Sequence, residues 1–266
     1  MKKADLHMHS RISDGSWTIE ELAHLAAEKG VDTIAVTEHD TLSQMRKIPE
    51  GLPVQVIPGI EISAFDYDAN MRVHVLGYHI QNISLVEELV HPLLLARHEN
   101  SMRQIAVLQE NGFTIDVERL HRADGAYIYK QHIMEYLVKT GQAPDMFGDF
   151  YRRTFKNGGI CAFDIRYLDP YVAVRTVKEA GGLAVLAHSG QQQNFSLIPR
   201  LVQEGLAGLE LHHPANSEKD QQIIRKYAAE YNLFLTGGSD CHGDYEPNSP
   251  NPGYCLSEES GVAAIC

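Results

Sequence analysis

Apolar and polar positions follow two rhythms along the first 80 residues. Short runs rich in apolar and β-branched residues, at 3–8 and 32–40, have the character of buried strands. Between them, residues 19–29 carry a helical pattern, in which Thr18 and Glu21 have capping-box spacing and Gly30 is placed to end the helix. Two further strands are predicted at 54–63 and 72–80.

The same rhythm returns in the second half of the chain. Helices are predicted at 170–182, 195–205 and 217–232, and strands at 183–189, 206–213 and 233–243, the last running into a loop. Strands that alternate with helices indicate a mostly parallel sheet. The segment 246–254, rich in proline and asparagine, is predicted as a surface loop.

The middle of the chain differs from both halves. Residues 85–158 have helical periodicity and no convincing strand, which predicts a helical insertion that covers the functional site. The predicted fold class is therefore α/β, with a barrel formed by residues 1–84 and 159–266 and a helical insertion domain at 85–158.

Residues that commonly bind metal ions fall near the ends of most predicted strands. His7 and His9 are alternate residues of the first predicted strand and therefore face the same side. Asp240 and His242 are alternate residues of the last predicted strand and also share a side. In parallel sheets and barrels, functional sites form at the carboxyl ends of the strands. The candidate ligands are His7, His9, Asp14, His39, Glu61, His74, His188, Asp240 and His242.

Six histidines with three carboxylates form a mixed nitrogen and oxygen donor set. Such a set suits Zn²⁺, Mn²⁺ or Fe²⁺ better than Ca²⁺. Nine ligands are too many for one ion, so two to three divalent ions lying close together are expected. Closely spaced divalent ions suit the hydrolysis of phosphate esters, because they activate water and neutralise the phosphoryl oxygens. No serine or cysteine nucleophile is then required.

Composition narrows the possible partners. The chain has 266 residues and a formal net charge of −12, which disfavours tight binding to a long nucleic acid duplex. No apolar run approaches the length of a membrane helix, and the N-terminus lacks the apolar segment of a secretory signal. The four cysteines of the chain are scattered along the sequence. We therefore expect a cytoplasmic protein with reduced thiols that does not bind membranes.

Four motifs resemble those of the PHP (polymerase and histidinol phosphatase) family. They are "DLHMHSRISDGS", "VTEHDT", "PGIEIS" with "VHVLGY", and "GSDCHG". An insertion after "VLGYHI" makes the chain most similar to the small stand-alone branch, which includes nucleoside 3′,5′-bisphosphate phosphatases and 5′→3′ exoribonucleases. The resemblance implies a distorted (β/α)₇ TIM-like barrel with metal ions at the C-terminal strand ends.

The resemblance also implies how the ligands divide among the ions. A bridging water, held by Glu61, His9 and Asp240, would attack the phosphorus. The first ion would be bound by His7, His9, Glu61 and Asp240, the second by Asp14, His39 and His242, and the third by Glu61, His74 and His188.

The residues expected to bind the substrate lie in the insertion. Arg97 and Asn100 share one helix face, and with Lys130 and His132 they are candidates for binding a second phosphate or a ribose. The branch usually has Gly-Arg-Pro-His where this chain has "IYKQH", so Lys130 stands where an arginine is expected. It usually has Ala-His-Pro where this chain has "AHSG". Lysine cannot make the forked contact of arginine.

The implied activity is a metal-dependent phosphoesterase. It would act on a small phosphorylated substrate, such as a nucleoside 3′,5′-bisphosphate or a short RNA 5′ end, and release an AMP-like product. Three alternatives stay open: a phosphatase of the histidinol-phosphate type, a metal-dependent amidohydrolase, and a non-catalytic accessory domain. Amidohydrolases typically use a carbamylated lysine on a middle strand, where this chain offers Glu61 and His74.

Overall fold

Seven strands form one sheet whose spatial order follows the sequence. A computed structural model describes residues 2–121, 127–245 and 249–266. The strands are β1 (Ala4–Met8), β2 (Thr33–His39), β3 (Gln55–Asp66), β4 (Met71–Tyr78), β5 (Leu183–Leu186), β6 (Leu206–His212) and β7 (Phe234–Gly237).

Strand direction departs from the expected parallel pattern at one place. β1, β2 and β3 are parallel, as are β5, β6 and β7. β4 runs antiparallel to both of its neighbours, because β3 and β4 form a hairpin through residues 67–70. The carboxylate of Asp66 stabilises this turn by accepting the backbone N–H groups of Asp68 and Ala69. The sheet is therefore mixed.

The sheet curls until its two edges meet. The segment after β7 pairs with the end of β1: the His9 N–H donates to the Cys241 carbonyl at 2.8 Å, and the Asp240 N–H donates to the His7 carbonyl at 2.9 Å. The result is a TIM-like barrel of seven strands, as predicted. This pairing brings the ligand-rich ends of the first and last strands into contact.

Helices cover the outside of the curled sheet. In α1, the capping box of Thr18 and Glu21 is present, and Ile19, Leu22 and Ala26 are buried against the strands. No helix in the described ranges is both long and apolar enough to cross a lipid bilayer. The helices are α1 (Ile19–Glu28), α2 (Ile83–Glu110), α3 (Lys130–Lys139), α4 (Asp149–Phe155), α5 (Pro170–Glu179), α6 (Ser189–Gln192), α7 (Ile198–Glu204), α8 (Glu218–Tyr231) and α9 (Glu259–Ile265).

The segment between β4 and α5 builds its own apolar cluster. It contributes α2, α3 and α4, and its described residues form no strand. Ile105 and Leu108 from α2 pack with Ile133 and Leu137 from α3 and with Phe155 from α4. These side chains cluster separately from those that pack against the sheet. The segment therefore stands over the barrel as a packed unit of helices.

The C-terminal tail packs against β1. Gly253 N–H donates to the buried carboxylate of Asp5 at 2.7 Å, and Ser257 N–H donates to the Ala4 carbonyl at 2.8 Å. The predicted loop at 246–254 therefore has an anchor on the first strand, although residues 246–248 lie outside the described residues. Helix α9, which the hydropathy pattern did not predict, follows this anchor and packs against β7.

Candidate metal centre

The imidazole of His7 on β1 and that of His9, directly after β1, face two carboxylates where the edges of the barrel meet. His7 Nε2 lies 3.2 Å from Glu61 Oε2 and 3.4 Å from Asp240 Oδ1. His9 Nε2 lies 3.0 Å and 3.2 Å from the same two oxygens. Both histidines are fully buried, so their mutual orientation is fixed by the strand. These four residues form the first potential ligand group, whose ligand atoms all lie within 4.8 Å of one another.

A second ligand group surrounds Asp14. Its carboxylate lies 3.8 Å from His39 Nε2, 3.6 Å from His242 Nε2 and 3.8 Å from His9 Nδ1. The ring of His9 stacks between those of His39 and His242. His9 therefore offers its two ring nitrogens to the first and second groups.

The third group uses the other oxygen of Glu61. Glu61 Oε1 lies 2.7 Å from His74 Nδ1 and 2.9 Å from His188 Nε2. Glu61 Oε2 faces the first group. One buried carboxylate thus joins two of the potential ligand groups.

The structure brings together all nine predicted ligands, but not all at strand ends. Glu61 lies in the middle of β3, and His74 lies opposite Ser63 near the beginning of β4, which reaches this edge because it is reversed. Asp240 and His242 lie beyond the end of β7 rather than on it. Asp240 has φ of 50°, a left-handed conformation, in the segment that pairs with the end of β1.

The donor atoms fit divalent cations. Among the described residues, His9 Nδ1, His39 Nδ1 and Asp240 Oδ1 are buried with no hydrogen-bond partner. Buried polar atoms without a partner are costly, and a shared cation would satisfy several of them at once. Imidazole and carboxylate together form the donor set of Zn²⁺, Mn²⁺ and Fe²⁺ sites.

The electrostatics of the cluster favour added positive charge. Burial opposes the protonation of His9, but the neighbouring carboxylates of Asp240 and Glu61 raise its pKa to about 10. Burial disfavours the charged form of Glu61, yet the surrounding histidines hold the pKa of its carboxyl well below the usual value. The carboxylates thus stay ionised and attract protons in the absence of another cation. A divalent ion would replace those protons.

Two residues of the site were missed by sequence reasoning. Glu210, on β6, accepts the His188 backbone N–H at 2.8 Å and places Oε1 2.9 Å from His7 Nδ1. His213, after β6, has Nε2 3.2 Å from Asp240 Oδ2. The sequence feature that could have indicated Glu210 is a single glutamate within the otherwise apolar strand "LAGLELHH". His212, the residue before His213, lies with Nε2 2.9 Å from Glu258 Oε1 and does not join the cluster.

Glu210 acts on the cluster through His7. A carboxylate that accepts the Nδ1–H of a histidine fixes its tautomer and leaves Nε2 as the donor to a metal. Because Glu210 binds Nδ1, His7 Nε2 remains directed at Glu61 and Asp240. Glu210 and His213 form a further possible ligand group with His7, and both are buried.

A small polar cavity opens between the cluster and the helical insertion. Its volume is about 180 Å³, and Asp14, His39 and His74 form part of its wall. This is below the about 300–1,000 Å³ of typical drug-sized ligand sites, so a compact ligand is favoured. Three of the four predicted substrate-binding residues, which are Arg97, Asn100 and Lys130, line this cavity.

Arg97 is held against the metal-binding edge. Its guanidinium donates to Asp40 Oδ2 at 2.6 Å and to Ser63 Oγ at 3.0 Å. It also lies over the ring of Tyr129, whose hydroxyl donates to the His39 carbonyl at 2.9 Å. The insertion and the barrel thus share a hydrogen-bonded contact beside the candidate ligands.

His132 does not join the other predicted substrate-binding residues. It is fully buried in the first turn of α3, where its Nδ1 accepts the Tyr129 N–H at 3.1 Å. It borders a different cavity, beside Arg11 and Arg119. Its neighbour Gln131 does reach the site, because its amide donates to Asp14 Oδ2 at 2.6 Å.

Comparisons with known proteins agree with this geometry. A model of the PHP domain matches residues 5–173. A phosphoribosyl 1,2-cyclic phosphate 1,2-diphosphodiesterase of Eggerthella lenta is 44% identical over 91% of this chain and 94% of its own length. The 5′-3′ exoribonuclease Rnm of Escherichia coli is 29% identical over 90% of this chain and 84% of its own.

A solved structure shares nearly the whole fold. It is a candidate metal-dependent phosphoesterase from Bifidobacterium adolescentis, with a TM-score of 0.87 and 26% identity over 98% of this chain and 94% of its own. The family model covers more than half of the chain, and one relative exceeds 40% identity over nine-tenths of it. The chain therefore belongs to the PHP family and is a metal-dependent hydrolase of phosphate esters.

Proposed function

We propose that the chain hydrolyses a phosphate ester on a compact phosphorylated ribose, using two to three divalent ions drawn from Mn²⁺, Fe²⁺ and Zn²⁺. The observation that carries this proposal is the overlap of three ligand groups through His9 and Glu61 at the edge of a 180 Å³ cavity. Two or more divalent ions bound so close together neutralise phosphoryl oxygens and activate water. The chain's own polar groups then bind and orient the substrate.

The nine predicted ligands are proposed to hold these ions. Glu61 would bind two of them, since its two oxygens face different groups. Glu210 would keep His7 in the tautomer that presents Nε2, and Gln131 would orient Asp14 through its 2.6 Å hydrogen bond. In these roles Glu210 and Gln131 position the ligands His7 and Asp14 and need not bind a metal ion themselves.

Arg97 is proposed to bind phosphoryl oxygens at the mouth of the ligand cluster. Its pKa is raised by Asp40, against the effect of burial, so it stays charged at any pH that the fold tolerates. Preorganised charge next to a reacting phosphate stabilises the transition state without reorganisation during the reaction. Asn100 lines the same cavity and can donate to a sugar hydroxyl or a phosphate oxygen.

A ribose carrying a cyclic phosphate is the first substrate to test. The Eggerthella lenta relative is named for phosphoribosyl 1,2-cyclic phosphate and is much more similar to this chain than the exoribonuclease is. Opening a cyclic diester consumes one water and gives a monoester, and a second water then releases inorganic phosphate. The small cavity fits such a compact substrate.

A nucleoside 3′,5′-bisphosphate is the second candidate. A Chromobacterium violaceum relative with that name is 27% identical over 92% of this chain. Tyr151 and Tyr167 line the cavity and offer aromatic surface to a nucleobase. For an RNA, only a terminal nucleotide would fit this space.

A substrate panel tests the proposal. Protein stripped by a chelator and reloaded with Mn²⁺ should release phosphate from phosphoribosyl 1,2-cyclic phosphate, with the nucleoside bisphosphate as the second substrate and an acyl amide as the control. We expect phosphate release only after metal loading. Hydrolysis of the amide, with no turnover of any phosphate ester, would contradict the proposal.

A further inference from the structure

One face of α2 presents a row of polar side chains to the active-site cavity. Arg97, Asn100, Ser101 and Gln104 all line it, and their spacing of three and four residues places them on the same side of the helix. Gln104 lies about two turns beyond Arg97 and is fully buried. The row therefore continues from the metal-binding edge into the deeper part of the insertion.

The orientation of the Gln104 amide is fixed by its surroundings. Gln104 Nε2 donates to the Cys161 carbonyl at 3.0 Å and lies 3.4 Å from the Phe163 carbonyl. Because a carbonyl oxygen only accepts hydrogen bonds, the amide nitrogen must occupy this position and the amide oxygen must take the other. The side chain is thus held with its nitrogen towards the segment that follows α4.

The amide oxygen that remains has no partner. Among the described residues, Gln104 Oε1 is buried and accepts no hydrogen bond. A buried acceptor that is left unpaired is costly, and native structures contain few of them. Helix packing does not require a glutamine here, since an apolar side chain would fill the same place without this cost. The unpaired oxygen therefore points to a function at the cavity that Gln104 lines.

Three unpaired buried atoms belong to described residues that line this cavity. They are His39 Nδ1, Arg97 Nε and Gln104 Oε1. The imidazole nitrogen can bind a metal ion, and the guanidinium can donate to a phosphate oxygen. The amide oxygen, by contrast, needs a hydrogen-bond donor. A ligand that combines a phosphate ester with a nearby donor group would satisfy all three when a metal ion is bound.

The charge of the cavity wall indicates which donor this is. Arg72, Lys130 and Lys156 line the same cavity, so a positively charged donor group would be repelled. A phosphate dianion has no hydrogen to donate to Oε1. A hydroxyl is neutral, donates one hydrogen bond and accepts others from the cationic neighbours. Ribose carries such hydroxyls beside its phosphate esters.

We infer that Gln104 is a specificity-determining residue, whose Oε1 accepts a hydrogen bond from a free ribose hydroxyl of the substrate. This inference rests on the proposed function, since the metal cluster then holds the reacting phosphate. Gln104 has no exposed surface, so the hydroxyl reaches Oε1 as the cavity wall adjusts to the bound substrate. A deoxy substrate leaves the buried oxygen unpaired, and the enzyme therefore selects against it.

Matched substrates with and without the hydroxyl test this role. Adenosine 3′,5′-bisphosphate is compared with its 2′-deoxy analogue, and phosphoribosyl 1,2-cyclic phosphate with the analogue that lacks its free 3-hydroxyl. In the pair that is hydrolysed, wild type should favour the hydroxyl-bearing substrate by about 10- to 100-fold in kcat/KM. Gln104→Met keeps the length of the side chain and removes the acceptor, so it should reduce this ratio below about threefold.

Gln109→Met is the matched control. Gln109 lies on the same helix and donates through its amide to the Ile115 carbonyl at 2.8 Å, but it does not line the cavity. Its replacement should therefore leave the ratio between the two substrates at the wild-type value. Gln104→Met also loses the bond to Cys161, and a merely structural role would lower kcat/KM on both substrates and leave the ratio unchanged.

The outcomes separate this inference from the proposed function. A wild-type ratio below about threefold would overturn the inference although the enzyme is active, and so would a ratio that Gln104→Met leaves unchanged. The wild-type comparison decides even if the variant does not fold. If no phosphate ester is hydrolysed, the proposed function fails and calorimetry decides. Metal-loaded wild type should then bind adenosine 5′-monophosphate at least tenfold more tightly than its 2′-deoxy analogue, and equal binding would refute the role of Gln104.

Discussion

The ion pair between Asp40 and Arg97 is expected to be one of the strongest single contacts between the insertion and the barrel. Arg97 Nη2 donates to Asp40 Oδ2 at 2.6 Å, while Asp40 Oδ1 accepts the Ser63 N–H at 2.8 Å. The Asp40 carboxylate is fully buried, and Arg97 is only 20% exposed. Removing the Asp40 carboxylate therefore leaves the buried guanidinium with only the neutral Ser63 hydroxyl as an acceptor, and it can leave the Ser63 N–H with none.

The loss in the free energy of unfolding expected for each substitution follows from this burial. Asp40→Asn keeps Oδ1 as an acceptor for Ser63 and tolerates the φ of 56° at this position, but its amide nitrogen replaces the oxygen that accepts from Arg97. It should therefore lose that charged hydrogen bond, at about 1.5–3 kcal/mol. Asp40→Ala also loses the acceptor and strains the left-handed backbone, and it should cost about 3–5 kcal/mol. The free energy of unfolding should thus fall in two steps.

The assay is urea unfolding in the presence of a chelator, so that changes in metal affinity at the neighbouring His39 do not contribute. An exposed pair with the same 2.6 Å contact, between Asp149 and Arg152, supplies the control. Asp149→Asn should unfold like wild type, because solvent screens that pair. A loss below about 1 kcal/mol for Asp40→Ala, or equal losses in the two pairs, would refute the reasoning that burial sets the energy.

Four further predictions follow from the site. Asp14→Ala, His39→Ala and His242→Ala should each lower kcat by more than about 100-fold, measured by phosphate release, and near-normal activity of one alone would break their grouping. Chelation should lower the melting temperature, because each ion present at 100 times its Kd adds about 2.7 kcal/mol to the free energy of unfolding; an unchanged melting temperature would argue against bound ions. Glu210→Gln should weaken metal affinity about 10- to 100-fold in a metal-competition titration; an unchanged affinity would show that the contact between Glu210 and His7 does not affect metal binding. In pH profiles, kcat/KM on a doubly phosphorylated substrate should fall as pH rises through about 8, because Lys130 then loses its proton and charge. Lys130→Met should not show this fall; if the variant still shows it, a different group is responsible.

Much of the barrel could be predicted from periodicity because its strands are buried and its helices are amphipathic. The alternation of His7 and His9, at and just after the end of β1, was enough to place both rings on one side. The reversal of β4 could not be predicted in the same way, because an apolar run carries no information on strand direction. His74 reaches the cluster only through that reversal.

The site residues that escaped prediction lack a local spacing signal. Glu210 is a single acidic residue in an apolar strand, and its partner His7 is 203 residues away in the chain. Arg72 is an ordinary strand arginine until β4 and the insertion converge. His132 was predicted from a motif, but its place in the first turn of α3 turns its ring to the backbone of Tyr129. Tertiary contacts, rather than sequence spacing, decide these roles.

The nine-residue cluster is proposed to bind the divalent ions with which the enzyme hydrolyses phosphate esters. Titration of Mn²⁺ into stripped protein, with bound metal and phosphate release followed on the same samples, tests it most directly. We expect two to three ions per chain, with activity rising as they bind, and fewer ions together with lost activity in His39→Ala. Fewer than one ion per chain after loading, or phosphate release that persists in excess chelator, would contradict it.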